Sequence, residues 1–207
     1  MEKAVDYNKC IELFKEAGLT PNLINILYHC RKVNAVAMFI ATKLKEKGEE
    51  IDLDLVDIAS FLHDVKKAEE VNLKDWGSHE KRAADFLKAK GYNELAEIIL
   101  KHRSEELILN RIEGMSLEDK IVNYADKRVK HDEVVSTKER MRDGFERYSK
   151  KFNNRDFINR HNAINEQLKK IENEIFNKLG LKPEDVNEKS VNPFLIDEKI
   201  ITECFGA

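Results

Sequence analysis

The 207-residue sequence is poor in the residues that interrupt helices, with 3 prolines and 8 glycines. That scarcity argues against a strand-and-turn architecture, which needs a turn residue every few positions. It also lacks any run of about 18 apolar residues, so no membrane span is expected. Cysteine is scarce: Cys10, Cys30 and Cys204 are odd in number, widely spaced and form no CxxC pair. Reduced thiols are therefore expected rather than a disulfide framework. Neither sign of charge predominates. A net charge of −3 gives the chain no overall attraction to nucleic acid or to an anionic membrane. The segment Met1–Asp6 has no apolar core of the signal-peptide kind, so a cytoplasmic location is expected.

What is present is 42% apolar and 36% charged residues, the mixture of amphipathic helices with solvated outer faces. The spacing predicts an all-α bundle. A short helix over 2–17 stops at Gly18. Thr20-Pro21 reads as a side-chain cap followed by a first-turn proline, opening a long helix to Lys47. Its apolar stripe is Ile26, His29, Cys30, Val33, Ala37, Ile40 and Leu44. Asp52 caps a helix that is apolar over much of its circumference and carries His63 and Asp64. A mostly polar link from Glu69 to Gly77 follows. Ser78 caps a helix with His79, Ala83, Phe86 and Leu87 on one face. Asn93 starts another with Leu95, Ile98, Ile99 and His102.

After an irregular stretch, 103–115, Ser116 to Asp119 reads as a capping box with Asp in place of the usual Glu. The helix behind it turns Val122, Ala125, Asp126 and Val129 inward. Ser136 to Glu139 is a second capping-box start. A helix from Arg155 to Leu179 ends at Gly180, and a tail marked by Pro183 and Pro193 is expected to pack through Phe194, Leu195 and Ile196. Residues 1–152 are read as the main domain and 153–207 as a C-terminal helical extension and tail packing on it. No strand pattern is convincing.

Six ligating residues thus fall on apolar stripes of five helices: His29, His63, Asp64, His79, His102 and Asp126. A buried carboxylate without a partner costs several kcal/mol, roughly, or takes up a proton. A metal ion removes that cost by replacing water as the partner. A single histidine on such a stripe has an ordinary explanation as a hydrogen-bonded core residue. His161, on the stripe of the C-terminal helix, shows that position alone does not mark a ligand. The composition of the set carries more. Four imidazoles and two carboxylates are the N/O donors preferred by iron, manganese, zinc, cobalt or nickel.

The order His29, His63-Asp64, Asp126, with the flanks His29-x-x-x-Val33-x-x-x-Ala37, Phe61-Leu62-His63-Asp64-Val65-Lys66-Lys67 and Ala125-Asp126-Lys127, resembles the HD superfamily of metal-dependent phosphohydrolases, in particular its small stand-alone members. The resemblance covers roughly residues 20–150. It implies an HD-domain helical bundle in which His29, His63, Asp64 and Asp126 bind a first divalent metal. His79 and His102 would complete a second site, so one or two ions of Fe, Mn, Zn, Co, Ni or Mg are implied. Lys66 departs from the family, which commonly has glycine in an HDIGK-like run.

The implied chemistry is attack of a metal-activated water on phosphorus, oriented by Asp64. Charge gained by the phosphate needs cations nearby. Lys67 is the first candidate, and Lys66, Arg103 and Arg128 are weaker ones. A small phosphorylated substrate follows, a nucleotide or similar metabolite, with selectivity expected from pocket shape and from the loop 103–115. Two alternatives stay open: a di-iron HD-type oxygenase, and a non-catalytic nucleotide-sensing module. The helix 155–179 is expected to pack on the core or on a second subunit, which leaves a homodimer open. The basic segment Lys127, Arg128, Lys130, Lys138, Arg140 and Arg142 reads as a solvated face with ion pairs, because acidic residues interleave it and no aromatic series accompanies it.

Overall fold

Asp6 accepts a hydrogen bond from Lys9 N and opens α1 (Tyr7–Glu16). The computed structural model describes residues 5–74, 79–109, 112–152 and 154–205. Gly18 (φ +92°) then lets the chain turn in the left-handed region that a side chain disfavours. Pro21–Leu23 form a single 3-10 turn, and α2 (Asn25–Glu46) follows. The expected cap is absent: Thr20 makes no side-chain bond to the turn. The proline ring starts the 3-10 turn, and the α-helix begins four residues later than read.

Asp52 caps α3 (Leu53–Leu62) through Leu55 N at 3.0 Å, as its sequence position predicts. This helix ends before the His63-Asp64 pair. A turn over 63–66 intervenes, and α4 (Lys67–Leu73) fills much of what reads as a link. The expected cap Ser78, with Trp76 before it, lies outside the described residues. α5 (His79–Ala89) and α6 (Asn93–Lys101) form an antiparallel pair, joined at Gly91 (φ +89°). The stretch 103–115 contains the short α7 (Glu106–Leu109) and a 3-10 turn over Ile112–Gly114.

Ser116 and Asp119 form the reciprocal capping box, at 3.1 and 2.9 Å, and open α8 (Leu117–Asp126). A hairpin follows that the sequence reading lacks. β1 (Val129–Lys130) pairs antiparallel with β2 (Glu133–Val134), with Val129 opposite Val134. Two residues per strand is too short for an alternating pattern to register. Ser136 Oγ accepts from Glu139 N at 3.1 Å at the start of α9 (Thr137–Phe152). α10 (Arg155–Leu179) is capped by Asn154 and ended by Gly180 in the left-handed region. The tail adds α11 (Glu188–Val191) and α12 (Lys199–Thr202).

The fold is all-α apart from that hairpin. α2 is the central column: α3 and α8 pack along it, and α6 packs against both of those. α10 lays Ile164, Leu168, Ile171 and Ile175 on the same chain, against α7, α8, α9 and α2. The tail returns to α2, where the Phe194 ring meets Phe39 edge-on at 5.8 Å. No helix of the described residues is long and apolar enough to cross a membrane.

Candidate metal centre

Five of the six predicted ligands sit at or just past helix ends, and only His29 stands inside a helix body. His63 and His102 each follow the last residue of a helix, α3 and α6. His79 is the first residue of α5, and Asp126 the last of α8. The last carbonyls of a helix lack intrahelical donors. His63 Nδ1 uses one of them, donating to Ser60 O at 2.7 Å. His102 Nδ1 donates to Ile99 O, also three residues back.

The other two rings are held differently. His29 Nδ1 donates to His131 O at 2.6 Å, and His79 Nδ1 donates to Glu70 Oε2 at 2.6 Å. Each partner is a pure acceptor, so each Nδ1 carries the proton and each neutral ring presents a bare Nε2.

All four Nε2 atoms converge on two carboxylates. His29 Nε2 lies 3.2 Å from Asp126 Oδ1 and 4.0 Å from Asp64 Oδ2. His63 Nε2 lies 3.7 Å from Asp64 Oδ2 and 3.9 Å from Asp126 Oδ1. On the other oxygen of Asp64, His79 Nε2 is at 2.9 Å and His102 Nε2 at 4.0 Å from Oδ1. Asp64 therefore stands between two sets of donors, one on each oxygen. Ligands about 2.1 Å from a shared ion are roughly 3.0–4.2 Å apart, and these separations span nearly that interval. His29, His63 and Asp126 form one group able to hold a cation, and His63, Asp64 and His102 another.

Lone pairs directed at carboxylates repel unless a proton or a cation lies between them. His63 Nε2 is buried with no hydrogen-bond partner, although 90% or more of buried polar atoms ordinarily have one, roughly. The donor set and this orphaned atom both fit a divalent ion.

Without an ion, protons take its place. Burial opposes charge on His79, but the Asp64 carboxylate and then the bond to Glu70 outweigh it and hold the ring at about 9. Burial likewise opposes charge on His29, yet the bond to Asp126 leaves its pKa raised. Burial, and next the charge of His63, push His102 down to about 3. Burial also lowers His63. Asp64 and Asp126 stay well below the usual carboxylate range despite burial, Asp64 chiefly through His63 and His79, Asp126 chiefly through Lys127.

The four predicted cations part company. Lys67 lines the cavity beside Asp64, with its ammonium 2.7 Å from Glu70 Oε1 and 3.4 Å from His79 Nδ1. Arg128 is corrected. Its guanidinium is buried and donates to Val135 O, Tyr124 Oη, Pro183 O and Val186 O at 2.6–3.0 Å, so it holds the C-terminal tail and has no side open to a phosphate. Lys66 is paired with Glu69 at 2.5 Å and stands 4.8 Å above the Phe86 ring. Arg103 is paired with Glu105 at 3.2 Å. Neither lines the cavity. The solvated-face reading of the basic segment fails at Lys127, which is buried and donates to Asp126 Oδ2 at 2.7 Å and His102 O at 3.2 Å. His161, the control position, contacts the ring of Phe145 on α9 and that of Phe157 on its own helix α10, and belongs to no group of metal donors among the described residues.

Four participants escaped the sequence reading, among them Glu80, whose carboxylate groups with His79 and His102 as a third set able to hold a cation. Glu70, His131 and Lys127 touch ligands rather than supplying donor atoms, and such supports carry no spacing rule. His131 has a signal only in the backbone, a positive φ of 56° in a residue that is not glycine.

The family model for the HD domain matches residues 26–129, half of the chain, and that range contains all six predicted ligands, from His29 to Asp126. The chain belongs to the HD domain family. HD domains bind divalent metals and are in general metal-dependent phosphohydrolases, and the His/Asp cluster here could hold such an ion. An uncharacterized protein of Methanocaldococcus jannaschii is 31% identical over 144 residues, covering 60% of this chain and 83% of the relative. No solved structure gave a significant match.

Proposed function

We propose that this HD protein hydrolyses a phosphoester or phosphoanhydride in a nucleotide or similar small phosphorylated metabolite. The observation that carries the reading is the approach of four Nε2 atoms to the two oxygens of Asp64 and to Asp126, with Lys67 on the cavity side. His29, His63, Asp126 and Asp64 Oδ2 would hold one divalent ion. His79, His102 and Asp64 Oδ1 would hold a second. A divalent ion supplies Lewis acidity toward phosphoryl oxygens and a nucleophilic water near neutral pH.

The chain's own groups do the rest. Asp64 remains ionised and spans the two donor sets, so it fixes their spacing. Its second role is to orient the attacking water. Lys67, kept charged by Asp64 and Glu70 against the effect of burial, offsets the charge that the phosphate gains. Glu70, Ser60 O, Ile99 O and His131 O hold the rings so that Nε2 faces inward.

The test is a screen of phosphomonoesters, phosphodiesters and nucleotides with added Mn2+, Fe2+, Co2+ or Ni2+. Asp126→Ala and His63→Ala should each reduce turnover by at least about a hundredfold. Full wild-type turnover in either variant overturns the assignment. Oxygen uptake by iron-loaded protein would point instead to dioxygen chemistry at the same ligands.

A further inference from the structure

Beside the metal centre lies a cavity of about 290 Å3 whose inner wall includes His29, Asp64 and Lys67. Its outer wall comes from the hairpin and α9, through Lys130, Asp132, Arg140, Asp143 and Arg147. That wall lies wholly beyond the residues that the family model matches. The loop 103–115, expected to set selectivity, contributes no lining residue among the described ones.

The outer wall is organised around one acid. Asp143 Oδ2 is 2.7 Å from Arg147 and 3.8 Å from Arg140. The spacing i, i+3, i+7 places all three on one face of α9. Arg140 is also tied to the hairpin, where its Nε donates to Val129 O at 2.8 Å. One carboxylate cannot neutralise two guanidinium groups. Lys130 adds a third cation, only loosely matched by Glu139 at 3.9 Å, while Asp132 opposes it from the hairpin turn. Arg142 lies on a different face of the same helix. It is 70% exposed, 3.9 Å from Glu146, and absent from the lining.

Resting on the hydrolase reading above, we infer that Arg140, Arg147 and Lys130 form the wall that recognises the substrate's anionic group, and that the substrate is a phosphomonoester no larger than one nucleotide. The cavity, at about 290 Å3, sits at the lower end of the range of about 300–1,000 Å3 usual for small-molecule sites, a size that favours a single nucleotide over a dinucleotide. A guanidinium pair preorganised by a shared acid meets a terminal phosphate with forked donors, where an ammonium offers only a point charge.

The experiment uses the full chain loaded with Mn2+ and compares wild type with Arg147→Gln, Lys130→Gln and, as a control, Arg142→Gln. Inorganic phosphate is the probe, titrated by calorimetry, with metal content measured on every sample. Arg147→Gln and Lys130→Gln should weaken phosphate binding by roughly tenfold or more each at unchanged metal content, and Arg142→Gln should bind as wild type. Where turnover is seen, KM should rise with kcat nearly unchanged, and nucleoside monophosphates should exceed dinucleotides in kcat/KM.

Phosphate affinities of Arg147→Gln and Lys130→Gln equal to that of Arg142→Gln overturn the inference, as does undetectable phosphate binding to the wild type. Preference for dinucleotides also overturns it. Phosphate bound through Arg147 without turnover of any ester would support the anion wall and sink the hydrolase reading alone.

Discussion

Glu70 accepts from Nδ1 of His79 at 2.6 Å, on the side of the ring away from Asp64. The imidazole is thus clamped between two carboxylates, one buried behind it and one in the centre. Burial would raise the Glu70 carboxyl, but the bonds to His79 and Lys67 carry it well below its usual range.

This clamp makes Glu70→Gln informative. The amide keeps the shape and can still accept from Nδ1, but it removes the charge that makes the ring a better donor. Affinity for the metal equivalent held by His79 should fall by about 10- to 100-fold. Competition against a chromophoric chelator measures it. Unchanged affinity for every equivalent would show that the carboxylate only fills space.

The histidines also predict a pH dependence for metal-free protein. His79 has a folded-state value of about 9 against an ordinary 6.5, so its contribution to stability is complete below 6.5 and lost as pH rises through about 9. His102 is opposite. Its folded value of about 3 lies below the ordinary 6.5, so stability is lost as pH falls from 6.5 towards about 3. The melting temperature of the apo protein should therefore peak near neutrality. Metal binding at His79 must displace its proton, and close to one proton should appear per ion bound there at pH 7.5. Phenol red in weak buffer reports it. Metal uptake without proton release would contradict the arrangement.

Arg128 should prove structural. Replacing it by lysine removes the fork that reaches Pro183 O and Val186 O together. A loss of about 2–4 kcal/mol in urea unfolding is expected, with faster proteolysis of the tail and unchanged metal content. Retained stability with weakened phosphate binding would return Arg128 to the site.

The long C-terminal helix should unfold with the rest. Ile171 is fully buried, and Ile171→Ala should destabilise by about 2–5 kcal/mol. One cooperative transition is expected for the variant. A separate early transition would mean that α10 folds apart from the bundle it lies on.

The sequence by itself determined the helical class, the caps at Asp52 and Ser116 and the stop at Gly180, because these are local: each depends on side chains within a turn of one another. The six candidate donors could also be picked out, since histidines and acids on apolar stripes stand out. What the stripes could not convey was that His63, His79, His102 and Asp126 lie at helix ends, where ±2 residues of boundary decide the geometry. Only the tertiary structure decided which cations face the centre. Lys67, Lys66, Arg103 and Arg128 look alike in sequence, yet Arg128 is drawn into the tail by carbonyls 55 and 58 residues away. Long-range partners set the direction of a flexible charged side chain, and for the same reason the outer wall on α9, with Arg147, stayed hidden until the chain was folded.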